Sequence, residues 1–142
     1  MGYTQTESAI LAALMADEVF SEPLTGGIHV GPEMSRQAFP AAFDANNELQ
    51  PCCLIKVESI IPTAVRIPGA GNKFINVLVY QLVGHDAISA CLDRAYQLLH
   101  EKDIPGAGAW RITFTDIIPL LPDDALSAHY GSIRFACTVN LA

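Results

Sequence analysis

Four histidines, four cysteines and one pair of adjacent aspartates are the side chains of this sequence whose chemistry could reach beyond packing. His29, His85, His100 and His129 lie far apart, and none stands at the short spacing from which one element builds a metal site. Each falls near the end of a predicted element, so caps and surface positions are their expected roles. Only His129, close to Asp123 and Asp124, gathers such groups in one stretch, and Pro-Asp-Asp after an apolar run is also ordinary turn or capping composition. Cys52, Cys53, Cys91 and Cys137 show no C-x-x-C spacing and sit within apolar patterns, which predicts buried free thiols. Cys52 and Cys53 would face opposite sides of a strand, which disfavours a bond between them. Ser132 and Cys137 could serve as nucleophiles, but Ser132 lacks a nucleophile elbow and Cys137 belongs to the apolar face of a strand.

The pentapeptide Ile-Pro-Gly-Ala-Gly occurs at Ile67 to Gly71 and again at Ile104 to Gly108. A phosphate-cradling loop needs G-x-G-x-x-G between strand and helix, or a terminal Gly-Lys-Ser/Thr; neither stands here, so turns are expected. No residue type sits at a spacing that catalysis demands. The reading is a non-enzymatic protein with no catalytic residue, no metal and no cofactor, whose function lies in shape and contact. Arg66, Lys73, Arg111 and Arg134 lie on or beside strand patterns, where solvated faces or salt bridges between subunits are expected. With Val65 and Ile67, they form the expected assembly interface.

Composition points the same way. The chain has 142 residues, enough for one domain over 1–142 with a core that needs no staple. Its hydrophobic fraction is 51% against 16% charged, and the mean hydropathy is +0.30. That is more apolar surface than a small monomer hides easily, which favours an oligomer. A net charge of −7 with eight scattered basic residues argues against tight binding to a phosphate backbone. No apolar run is long enough to span a membrane, and the start lacks the basic region of a secretion signal, so synthesis inside a cell is expected.

These side chains are positioned by a readable order of elements. Thr4 and Glu7 stand at capping-box spacing ahead of Ile10, Leu11, Leu14 and Met15, predicting a helix to about Phe20. Residues 21–50 are dense in Pro, Gly and Asn, allowing a short strand near Ile28 to Val30, with Phe39 and Phe43 as anchors. A long β-hairpin runs from Cys52 to Tyr80. Its return arm, with Ile75, Val77 and Val79 on one face and Leu78, Tyr80 and Leu82 on the other, reads as a strand covered on both sides. The hairpin's far end, Ile61 to Asn72, is expected to project. A second helix follows from Asp86, as N-cap, to about His100, with Leu92 and Leu99 in its apolar stripe. Two strands close the chain, one around Trp110, Ile112 and Phe114 ended by Pro119 and Pro122, the other from Ser132 to Ala142. Joined by a loop, they are expected to pair antiparallel. The predicted fold is α+β: a four- or five-stranded, mainly antiparallel sheet with the long hairpin and two helices packed on one face.

The early helix, the loop ending AFDANNELQPCCLIKVES, the hairpin, the helix DAISACLDRAYQLLH and the terminal pair WRITFTDIIP and YGSIRFACTVNL together resemble a tail terminator, or tail completion protein, of tailed bacteriophages. The likeness spans nearly the whole chain and lies in element order. It implies a structural subunit of the virion, in the tail or neck, assembled in the host cytoplasm. It also implies a ring, typically a hexamer, that caps the tail tube and joins it to the head-side connector or stopper protein. DNA would pass through such a ring without being gripped, and no membrane is involved. The family carries no catalytic residues to transfer. A small-ligand-binding α+β domain, using a cleft between Trp110 and the second helix, is the alternative.

Overall fold

A computed structural model describes the backbone of residues 2–62, 70–104 and 109–140, and the side chains of 7–56, 73–102 and 112–137. Two helical pieces come first, α1 (Gly2–Ala16) and α2 (Glu18–Ser21), then a short strand β1 (Ile28–Val30) and a 3-10 turn (Pro40–Ala42). The hairpin strands are β2 (Cys52–Pro62) and β3 (Ala70–Gln81). Helix α3 (Asp86–Leu99), a short β4 (Lys102–Ile104), β5 (Ala109–Asp123) and β6 (Ala128–Asn140) complete the chain. The strands form one six-stranded sheet in the order β1-β2-β3-β6-β5-β4, antiparallel except for the parallel pair β1 and β2.

The expected α+β class, hairpin and antiparallel closing pair are present, and both long helices pack on one face. The sheet is wider than four or five strands because the three-residue β4 adds an edge just before Pro105. The pairing of β3 with β6 is unbroken, from Ala70 opposite Asn140 to Gln81 opposite His129, and so forms the spine of the sheet.

Period-two alternation on that spine builds two cores. Ile75, Val77 and Val79 of β3, with Ile133 and Phe135 of β6, meet Ile10 and Leu14 of α1, Phe20 of α2, and Ile88, Leu92 and Leu99 of α3. On the opposite face, Leu54 and Tyr80 are covered by Met34, Ala42 and Leu49 of the irregular segment, with Phe39 and Phe43 packed alongside. Two aromatic anchors thus do what the sequence assigns them. The Phe39 ring packs over Gly31, where an added Cβ would come within 2.6 Å of its tip, so a larger residue there would have to push the ring aside. Burial of these apolar side chains, each contributing about 1.5–3 kcal/mol, is the main driving force for both layers.

Four boundaries differ from the sequence reading, each for a local reason. The first helix begins at Gly2, so Thr4 lies inside it rather than capping it, and Glu7 turns to Lys73 instead of to a backbone N–H. The helix then stops at Asp17, whose carboxylate accepts from the Phe20 N–H at 2.9 Å and starts α2. At α3 the N-cap residue is His85, not Asp86, and its side chain makes no capping bond. Gln81, at the end of β3, does the capping: its Oε1 accepts from the Ala87 N–H at 3.0 Å while its Nε2 donates to Asp86 at 2.7 Å. Lastly, Pro119 and Pro122 do not end β5. The register against β6 shifts between Ile118 and Leu121, so Pro119 sits in an irregularity that asks for no ladder N–H, as proline in a strand requires.

Candidate assembly surface

His29, His100 and Asp123 are occupied by structure. His29 Nε2 lies 2.8 Å from the Gly26 carbonyl and its ring packs on Phe39. His100 Nδ1 accepts from the Phe114 N–H at 3.0 Å, tying the end of α3 to β5. Asp123 Oδ1 accepts from the Leu126 N–H at 3.2 Å, the turn role that Pro-Asp-Asp allows, and His129 sits in the ladder opposite Pro122. Among the described residues, no three or more His, Cys, Asp or Glu side chains come together as a metal site would require. All four cysteines are buried and free; desolvation pushes the Cys91 and Cys137 thiols up to about 11 and Cys52 up to about 12. Such thiols stay protonated and inert at neutral pH. Ser132, nearly buried, contacts Asn76 Oδ1 at 3.4 Å.

The expected interface residues fall into different places. Val65, Arg66 and Ile67, and the first Ile-Pro-Gly-Ala-Gly up to Gly69, lie outside the described residues; so do Pro105 to Gly108 of the second. Arg111 is a β5 residue whose side chain is also outside them. Lys73 is corrected outright: its side chain is fully buried beneath α1 in an ion pair with Glu7, so it presents no face to a neighbour in the folded chain. The reason is parity, since Lys73 shares the helix-covered face with Ile75, Val77 and Val79. Arg134 is half-exposed on the open part of the other face, with Nε 2.9 Å from Asp116 Oδ1 and its guanidinium 5.7 Å from the Phe74 ring centre. It lines a small cavity of about 100 Å³ with Asn76, Asp116, Ile118 and Ser132.

A surface missed by sequence reasoning is the outer edge of β5. Strand β4 pairs with β5 only as far as Ile112, and from Thr113 to Asp123 no described strand lies outside it. Along that stretch Ile117, Ile118 and Leu120 are 43%, 41% and 42% exposed. Between this edge and α3 runs a groove of about 360 Å³, floored by Leu92, Phe114, Ile117 and Ile133 and rimmed by Asp93 and Tyr96. Tyr96 stands edge-on to Phe114 at 5.3 Å and stacked with His100 at 4.7 Å, which fixes the rim. A long, partly apolar strand edge of this kind is what proteins otherwise cover or pair. Reading a stop into the two prolines conceals it in the sequence.

Arg94 holds the helical layer together. Its Nε and Nη2 reach the two Asp17 oxygens at 2.9 and 2.7 Å, a bidentate pair that joins α3 to the start of α2. The guanidinium beside Asp17 keeps that carboxyl below its usual value of 3.8. Among the described residues no helix is long and apolar enough to cross a membrane.

No family model matches the chain, and no curated protein matches it. Among solved structures it is similar to a chain of the "Virion of native gene transfer agent (GTA) particle", at 13% identity and a TM-score of 0.67. The likeness covers 94% of this chain and 93% of that one, so the two share a fold from end to end without an insertion of domain size.

Proposed function

We propose that this chain is a structural protein of a phage-like virion, a tail terminator that caps the tail tube as a ring, with six copies the expected number, and joins it to the head-side connector. The observation that carries the reading is the end-to-end fold likeness to a chain of a gene transfer agent virion. It coincides with the resemblance in element order noted in the sequence. The surface supports it too: a strand edge of about ten residues with three exposed large apolar side chains favours a partner that adds to the sheet. The chain acts through contact and carries no reaction.

Purified tube protein from the same genome, polymerised with and without this chain and viewed by electron microscopy, tests the capping role. Tubes are expected to stop growing and to carry a ring of density at one end when the chain is present. Unchanged tube lengths with no end density would remove the proposal.

A further inference from the structure

Two stretches of sheet edge carry no strand outside them among the described residues. Strand β4 covers β5 as far as Ile112, and His100 takes the Phe114 N–H, so the open stretch of β5 begins at Thr115. At the other edge β1 covers β2 from Cys53 to Ile55, and β2 runs on from Lys56 to Pro62 with no described strand beside it. The two stretches lie diagonally across the sheet, because β4 sits at the hairpin end and β1 at the other.

Their directions and faces match. Strand β5 runs away from the hairpin end, since Ala109 pairs with Val139 and Val139 with Gly71, whereas β2 runs toward it. Copies set side by side in one orientation therefore bring β5 and β2 together antiparallel. Residues directly opposite must share a face, which restricts the register. Ser59 is opposite Phe74, and Ile118 is level with Leu78 through Ser132, so both belong to the face away from the long helices. Ile60 is opposite Lys73, and Ile117 is level with Val77 through Ile133, so both belong to the helix face. Setting Ser59 against Ile118 and Ile60 against Ile117 satisfies both faces. That register lays Lys56 to Pro62 along Leu121 to Thr115, clear of the stretches that β1 and β4 already cover. Pro119, with no N–H to give, then faces Glu58, the residue skipped where the register of β2 on β3 shifts. Lys56 stands diagonal to Asp123, within reach of a long side chain.

We infer that β5 of one copy pairs through Thr115 to Leu121 with β2 of a second copy through Lys56 to Pro62, so that one sheet runs on from subunit to subunit. The inference rests on the ring proposed above and specifies its junction. It covers the exposed Ile117 and Ile118 and brings Ile60 of the second copy beside the groove between α3 and β5. The two edges are different surfaces, so the contact is head-to-tail, the kind that closes a ring when its rotation is a simple fraction of a turn. Ile118 is level with the chain's own Leu54 but meets Ser59 of the second copy, which displaces that copy by about 17 Å along the strands and about 29 Å across them. A ring closes with that offset when the strands tilt by about 30° from its axis, near the tilt of strands in closed barrels.

Thiols placed at the junction test it, in chains shown by sedimentation to be assembled, with the tube protein present as well as absent. After oxidation with copper phenanthroline, Ser59→Cys mixed with Ile118→Cys is expected to give cross-linked dimers on denaturing electrophoresis, and each variant alone to give none. The four native thiols are buried, so wild type serves as the uncross-linked control. In a second arm, Ile118→Lys is expected to weaken self-association by about tenfold or more, since a lysine on an edge strand opposes pairing. Ile118 is 41% exposed, so this change leaves the fold standing. If wild-type chains assemble but the mixture gives no dimers, or Ile118→Lys assembles as well as wild type, this junction is wrong while the ring reading stands. Dimers from Ile118→Cys alone would mean that β5 meets its own counterpart, and would overturn the junction as well. If wild-type chains stay monomeric under both conditions, the junction and the ring fall together.

Discussion

Lys73 shows how a single residue is misplaced when its type is weighed above its position. A lysine on a strand suggests a solvated face, yet Lys73 is odd-numbered with Ile75, Val77 and Val79 on a strand whose alternation is otherwise plain. Glu7 lies three and seven residues before Ile10 and Leu14, on the same stripe of α1. Both parities were legible; joining them needed the tertiary pairing of α1 with the sheet, which no local spacing announces. The energetic consequence is asymmetric. Glu7→Leu leaves a fully buried ammonium without this carboxylate and is expected to cost about 3–5 kcal/mol in urea unfolding, whereas Lys73→Met with Glu7→Leu is expected to fall within about 1 kcal/mol of wild type. Equal losses in the single and the double variant would show that the pair is not the source. The thiols, in contrast, were read correctly from their apolar neighbours, and all four are buried.

Helix α3 was the clearest element in the sequence, and its seat on the sheet was invisible there. Gly131, on β6, lies so close under it that an added Cβ would come within 2.7 Å of Ile88 Cγ2 and Leu92 Cδ1 and 2.8 Å of the Pro119 carbonyl. Gly131→Ala is therefore expected to destabilise by about 1–3 kcal/mol through overpacking, measured by thermal or chemical unfolding. A neutral or stabilising result would mean that the helix can lift without cost. The break between α1 and α2 was also unreadable, because Asp17 continues a helical stretch in composition and stops it only by capping Phe20 and pairing with Arg94. Its folded-state carboxyl is depressed below 3.8, chiefly by the hydrogen bond from Arg94. The stability it contributes is present above the unfolded value and lost as pH falls through the lowered one. Asp17→Asn should therefore reduce stability near neutrality and flatten the fall in Tm as pH drops below the usual carboxylate value. A variant curve parallel to wild type throughout would remove Asp17 from the acid limb. Pro119 carries the matching lesson for strands: a proline marks an end only where the ladder needs its N–H, and an unpaired edge does not.

For the whole molecule, the α+β class, the hairpin, the two-sided cover of β3 and the helix-on-sheet face could be read from period and punctuation. The exposed β5 edge and the groove beside it could not, since both depend on which strands end up outermost, a matter of topology. In the proposed ring, the acidic balance of −7 per copy suits a channel that lets DNA pass. Assembled rings are expected to show no micromolar, salt-sensitive DNA binding in a low-salt titration. Such binding would mean that cations such as Arg66 and Arg111 line the channel instead of joining subunits.

Self-association is the claim on which the rest depends, and sedimentation velocity of the purified chain, alone and with its tube protein, tests it most directly. Discrete species at a multiple of 15.3 kDa, six-fold by expectation, are predicted in at least one of the two conditions. A monomer of 15.3 kDa in both, at concentrations well above micromolar, would contradict it.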